Sequence, residues 1–218
     1  GAAQKTLLSH ALSRGARIVV GLHADGQYSP EKLPDIIAPL EIRESDLVQG
    51  SRMLKGGALR GGMPLYKYIG NKMLTALENA FFGIRLAEYH SGYMAYSRKL
   101  LLRVPFDRLS NSFDFDLDMI VCTKILGLPI REIAIPTIYA GEKSHLNSFK
   151  YGFDVLAVVL KYRRGYYHER RGKGAGKGLW AREAPGSWAR AGSTGVWGGV
   201  TLVPPRPALR GARRRNRG

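Results

Sequence analysis

Three side chains spaced two apart, His23, Asp25 and Gln27, follow directly on the β-rich run Ile18-Val19-Val20-Gly21-Leu22. Asp25 offers a hard carboxylate oxygen, and Gln27 and His23 offer neutral donors. Such a set at a strand end suits Mg²⁺ or Mn²⁺ shared with a substrate diphosphate. An Asp-Gly pair such as Asp25-Gly26 is more often simply a turn, which on these residues alone is the favoured reading. A second acidic group, Asp114, Asp116 and Asp118, alternates through FDFDLDM. On a helix Asp114 and Asp118 would share a face, and carboxylates in a first turn favour the N-terminal dipole, so capping competes with acid–base chemistry there.

The elements that must hold these groups alternate along the chain. Leu7, Leu8, Ala11 and Leu12 recur at helical spacing over residues 5–14, and Gly15 closes the segment. Residues 18–22 read as a buried strand. Ser29-Pro30-Glu31 reads as an N-cap with Pro at the first helical position, opening a helix through about residue 40. Residues 46–50 form a second short strand, and 53–62, MLKGGALRGG, a flexible glycine-rich loop. The longest helix spans 64–82, with Leu65, Tyr68, Ile69, Met73, Leu74, Leu77 and Phe81 as its apolar stripe. A strand at 92–97, a helix at 116–126, an extended segment at 130–139 and an amphipathic helix at 149–162 complete the pattern. Alternating strands and helices predict an α/β domain with a mainly parallel sheet, and ligands in such sheets sit at the carboxyl ends of strands.

The chain has 218 residues, of which 44% are hydrophobic, enough for a real core and too many for wholesale disorder. One cysteine, Cys122, excludes a disulfide framework or a Cys-rich zinc site. No apolar run approaches the ~18 residues of a membrane-spanning helix, and the first residues lack the layout of a signal peptide. The net charge of +17 is unevenly placed: residues 165–218 carry 12 basic and 2 acidic side chains, 12 of the 27 glycines and all three tryptophans. That shift places a boundary near Arg164, before a disordered Gly/Arg/Pro-rich tail. Arg/Gly segments with aromatics can bind nucleic acid, but composition alone is a weak warrant, and a solvated tail is the favoured reading.

The runs GLHADGQYSPEKLPDII, LVQGSRMLKGGALRGGMPLYKYIGNKML, EYHSGYMAYSRKLL and FDFDLDM, in that order, resemble family 2 glycosyltransferases, nearest the polyprenyl-phosphate (dolichyl-phosphate) sugar transferases. The resemblance covers residues 1–162. It implies a GT-A (Rossmann-like) fold, an NDP-sugar donor, a Mg²⁺ or Mn²⁺ cofactor, a polyprenyl-phosphate or glycan acceptor, and inverting transfer at the cytoplasmic side, with peripheral contact to the membrane face. The family's Asp-x-Asp-x-Gln metal motif falls on His23, Asp25 and Gln27, with His23 in place of the first Asp. Arg52, in Gly50-Ser51-Arg52, would face donor phosphate oxygens, and Arg60 would add charge from a mobile loop. Lys67 and Asn71, at i, i+4, match acceptor-phosphate positions, with a solvated helix face as the rival reading. His90 and Tyr93 match an acceptor-side loop, although Met94 stands where relatives commonly carry Arg. The acidic pair falls on Asp116 and Asp118; one would be a general base toward a hydroxyl acceptor, whereas a phosphate acceptor needs none. Strands bearing Pro-x-Tyr-Asn-Glu and Asp-Asp-Gly-Ser type motifs, which a complete member has, are absent from these residues. The expectation is therefore an N-terminally truncated domain, weakly active or inactive alone. The competing expectations are a nucleic-acid-binding protein acting through the tail and a non-catalytic membrane-surface remnant.

Overall fold

The computed structural model describes residues 1–23, 28–136, 148–168, 179 and 200–203. In chain order the elements are α1 (Ala2–Ser13), β1 (Ile18–Gly21), α2 (Leu33–Glu41), β2 (Leu47–Ser51), α3 (Gly57–Arg60), α4 (Leu65–Phe82), β3 (Met94–Ser97), α5 (Arg98–Arg103), α6 (Phe115–Ile125), β4 (Ile130–Ala134), α7 (Ser148–Arg163) and β5 (Val200–Val203). The strands form one sheet in the order β4-β2-β3-β1-β5. Alternation decides which side each residue faces. Ile18, Val20, Val48, Tyr93 and Ala95 pack with Ile36 and Leu40 of α2 on one face. Val19, Leu47, Met94 and Tyr96 pack on the other with Leu8 and Leu12 of α1, Met119, Ile120 and Val121 of α6, and Val155, Val158 and Val159 of α7.

The domain is α/β as expected, but the sheet is mixed rather than mainly parallel. Only β2 and β4 pair in parallel; β3 is antiparallel to both β1 and β2, and β5 to β1. The reason is the path between β2 and β3. The chain leaves β2 at Ser51, builds α3 and α4, and re-enters at the same end of the sheet, where the Gly50 amide donates to the Tyr93 carbonyl at 2.8 Å. A strand entered from that end must run back, so β3 lies between β1 and β2 and opposes both. β1, β2 and β4 consequently point the same way, and their carboxyl ends share one edge with the segment leading into β3.

Of the segment expected to form a tail beyond Arg164, the described residues meet the domain. Tyr167 and Leu179 are buried in the main core, Tyr166 packs against it, and β5 pairs with β1 over four residues. The reading of 53–62 as a plain flexible loop is corrected: it contains a 3-10 turn, Leu54–Gly56, followed by α3. Most of the stripe expected to bury α4 faces outward instead; only Tyr68 and Leu74 of it are partly buried. Leu65 is 63% and Met73 70% exposed, whereas the buried positions of α4 are Thr75, Glu78 and Phe82. Among the described residues, no helix is long and apolar enough to cross a membrane.

Candidate active site at the carboxyl edge of the sheet

His23 lies just beyond β1 at this edge. Its ring rests on Gly92, where an added Cβ would come within 2.5 Å of it; glycine is needed there for close approach. Tyr28 meets the ring edge-on at a centroid distance of 5.9 Å, and its hydroxyl accepts from the Gly92 amide at 3.1 Å. Asp25 and Gln27 lie outside the described residues. Among those described, no three His, Cys, Asp or Glu side chains group as a metal site.

Asp116 stands in the first turn of α6, partly exposed. Gln4 of α1 donates to it at 3.1 Å and the Tyr96 hydroxyl of β3 at 3.0 Å. Burial raises its carboxyl above the ordinary aspartate value, while those two hydrogen bonds and the positive field of His23 act in the opposite sense. His23 and Asp116 therefore belong to one electrostatic neighbourhood, reached from β1 and α6 respectively.

Asp118, two residues on, points to another side of the helix. It is buried, accepts from the Ser110 amide at 2.9 Å and from the Tyr167 hydroxyl, and its carboxyl is also raised by burial. The pair implied by the resemblance is thus separated: Asp116 faces the edge, and Asp118 ties α6 to the segment after α7.

Residues 1–104 match Glycosyl transferase family 2. The chain belongs to this family through that segment. Among curated relatives, the UDP-N-acetylglucosamine–dolichyl-phosphate N-acetylglucosaminyltransferase of Methanococcus voltae is 30% identical, over 76% of this chain and 66% of that protein. The low-salt glycan biosynthesis hexosyltransferase Agl6 of Haloferax volcanii is 32% identical, over 74% and 38%. The undecaprenyl-phosphate mannosyltransferase of Micrococcus luteus is 31% identical, over 57% and 50%. The matches thus span 66% or less of the length of these relatives.

The remaining expected positions of the glycosyltransferase domain fall into three places. Arg52 does not present its guanidinium to open space. Its Nε donates to Glu88 at 2.8 Å, its Nη2 to Glu88 and to the His90 carbonyl (2.7 Å), and its amide to Glu88 at 2.9 Å. The pairing has a plain cause: Glu88 is fully buried, and a charged partner offsets the cost of burying its carboxylate. Arg60 donates to the Lys55 carbonyl and lines a cleft of about 520 Å³ between residues 54–61 and 134–136, beyond β4 at the same edge.

Lys67 is partly exposed near the start of α4, and one turn on Asn71 approaches Glu88 at 3.5 Å. His90 pairs with Glu78 of α4 at 3.1 Å. Tyr93 is set apart on the α2 face of the sheet, buried against Tyr28 at 5.8 Å.

Sequence reasoning missed the acidic residues that organise this region. Besides Glu88, Glu78 is buried, its carboxyl raised by desolvation against the pull of His90. Glu132 of β4 accepts from the Ala87 and Glu88 amides at 2.7 and 3.2 Å and so holds the loop that carries Glu88. A charged residue inside the Ile130–Ala134 strand, and the i, i+4, i+7 line Asn71-Thr75-Glu78, were the available signals. Gln4 and Tyr96 had none.

Proposed function

We propose that the chain acts as a metal-dependent, inverting glycosyltransferase that moves a sugar from a nucleoside diphosphate to a polyprenyl phosphate at the cytoplasmic face of a membrane. The observation that carries this reading is Asp116 at the carboxyl edge, oriented by Gln4 and Tyr96 and coupled to His23. The named acceptors of two relatives, dolichyl phosphate and undecaprenyl phosphate, support the acceptor class. Asp25 and Gln27, with His23 beside them, would hold Mg²⁺ or Mn²⁺; their hard oxygens suit either ion. That cation would supply neutralising charge to the departing nucleoside diphosphate.

This chain's own residues do the rest. Arg60 adds positive charge along the cleft beyond β4, and Lys67 with Asn71 flanks the acceptor side. His90 and Arg52 act from behind, holding the loop into β3 in place through Glu78 and Glu88. An acceptor phosphate is already ionised near neutral pH, so Asp116 positions rather than deprotonates. Asp118 secures α6. Peripheral membrane contact would come through the outward apolar side chains of α7, Phe153, Leu156 and Leu160, beside Lys161 and Arg163.

The test is Mn²⁺-dependent binding of UDP-glucose, UDP-N-acetylglucosamine and GDP-mannose by calorimetry, followed by transfer to a polyprenyl phosphate. Asp25→Asn should abolish the metal-dependent part of donor binding. Asp116→Asn should lower transfer by about a hundredfold while donor affinity holds. Donor binding indifferent to metal, or transfer unchanged in folded Asp116→Asn, overturns the reading.

A further inference from the structure

A second polar cleft, of about 430 Å³, lies at the opposite edge of the sheet. It is formed where the chain enters β1 and β2 and leaves β3: the Arg98 amide donates to the Arg17 carbonyl at 2.8 Å, and the Ser97 amide to the Asp46 carbonyl at 2.9 Å. We propose that this cleft is an anion site that takes a phosphate-bearing group, distinct from the carboxyl edge.

Charge is the first argument. Arg17, Arg43, Arg98 and Lys99 line the cleft against one carboxylate, Asp46. Asp46 is paired with Lys99 at 2.9 Å and accepts from the Ser97 hydroxyl at 2.7 Å. The neighbouring Glu44 is turned to Arg131 of β4. Arg98 donates to the Leu12 and Ala16 carbonyls at 3.0 and 3.3 Å, which fixes its guanidinium without cancelling its charge. Three arginines thus share one cleft with no carboxylate left over among the described residues. A concave wall of one sign focuses potential and favours a multivalent anion, and planar guanidinium groups match phosphate oxygens in pairs.

Ser45 points to a ligand, and Arg43 supplies a further charge. Ser45 lines the cleft at 2% exposure, and among the described residues its hydroxyl has no hydrogen-bond partner. Buried hydroxyls are ordinarily paired, so an orphan on a cationic wall calls for an oxygen-bearing occupant. Arg43 holds a left-handed backbone at φ 62° as the chain leaves α2. Glycine or asparagine usually fills such a position. The Glu44 and Ser45 amides close this helix end onto the Pro39 carbonyl at 2.8 and 3.2 Å, and the arginine there brings a guanidinium to the cleft.

Titration of inorganic phosphate into the whole chain by calorimetry tests the site. Vesicles of phosphatidylglycerol in phosphatidylcholine, against phosphatidylcholine alone, form the second arm. Arg43→Asn keeps the left-handed geometry and removes the charge; Ser45→Ala removes the orphan hydroxyl without changing the packing. Saturable one-to-one phosphate binding, weakened about tenfold by Arg43→Asn and severalfold by Ser45→Ala, is the expected result. Unchanged denaturation of Ser45→Ala in phosphate-free buffer would show that the loss is not unfolding.

If free phosphate fails to bind but anionic vesicles sediment the wild type and not Arg43→Asn, the site stands with a lipid headgroup as its source. Absence of both, or phosphate binding lost in Arg60→Ala and retained in Arg43→Asn and Ser45→Ala, overturns it. The latter outcome would assign the anion to the carboxyl edge, so this proposal fails separately from the proposed transferase activity.

Discussion

Two helices that border the same core are held by opposite means. α6 buries Leu117, Met119, Ile120, Val121 and Cys122, with Asp118 and Thr123 as its buried polar exceptions. α4 turns Asn71, Thr75 and Glu78 inward toward Glu88, His90 and Arg52, and leaves Leu65, Ile69 and Met73 in the open. The first interface is non-directional and tolerant of small shifts. The second works only if each charge meets its partner, because unpaired charges in a low-dielectric interior are expensive. Dispersion and water exclusion hold α6; geometry holds α4. That is a sensible division if α4 and the Glu88–Tyr93 segment must present a defined polar surface at the carboxyl edge.

The sharpest way to break this contrast is Glu88→Ala. The Arg52 side chain is only 12% exposed, so losing its partner strands a guanidinium and also frees its link to the loop before β3. A loss of about 3–5 kcal/mol in urea denaturation is expected. Replacing both partners, as Arg52→Met with Glu88→Leu, should cost distinctly less than Glu88→Ala alone. If the double replacement costs as much, the pair is not the organising contact. On the apolar side, Ile120→Ala should lose about 2–5 kcal/mol by cavity formation, with no dependence on ionic strength.

A subtler distinction is pH. Burial raises the Glu78 carboxyl, with Glu88 adding to the effect and His90 opposing it. A carboxyl that binds its proton more tightly when folded contributes stability below its ordinary value near 4.5, and that contribution is lost as pH rises through the folded value. Glu78→Gln removes this loss. Its denaturation free energy should fall less steeply than the wild type's above pH 4.5, leaving it the more stable protein at neutral pH. The reverse order would mean that the ion pair with His90 outweighs desolvation.

These differences explain what could be read from the residues beforehand. β1 and the position of His23 at its end were legible because a short β-branched run has few alternatives. The helix read over 116–126 matches α6, Phe115–Ile125, within a residue at each end. The direction of β3 was not legible, since it depends on which edge the 42 residues between Ser51 and Met94 return to, a non-local matter. The pairing of Arg52 with Glu88 was not legible either, since the two lie 36 residues apart. In α4, amphipathic periodicity was detected correctly but its orientation was inverted: a stripe specifies two faces and leaves open which one meets the core. Only the tertiary partners Glu88, His90 and Arg52 decide that.

The smallest expected effect is therefore also informative. Met73→Ser and Leu65→Ser alter large apolar side chains on α4, changes that would be severe on α6. At 70% and 63% exposure these side chains have little burial to lose, so each change should lie within about 0.5 kcal/mol of wild type in dilute solution. A cost of about 2 kcal/mol or more would mean that the outward stripe is covered in solution. Dependence of that cost on protein concentration would then assign the cover to a second copy of the chain. Independence would assign it to the chain itself, and the contrast between α4 and α6 would narrow to the buried charges alone.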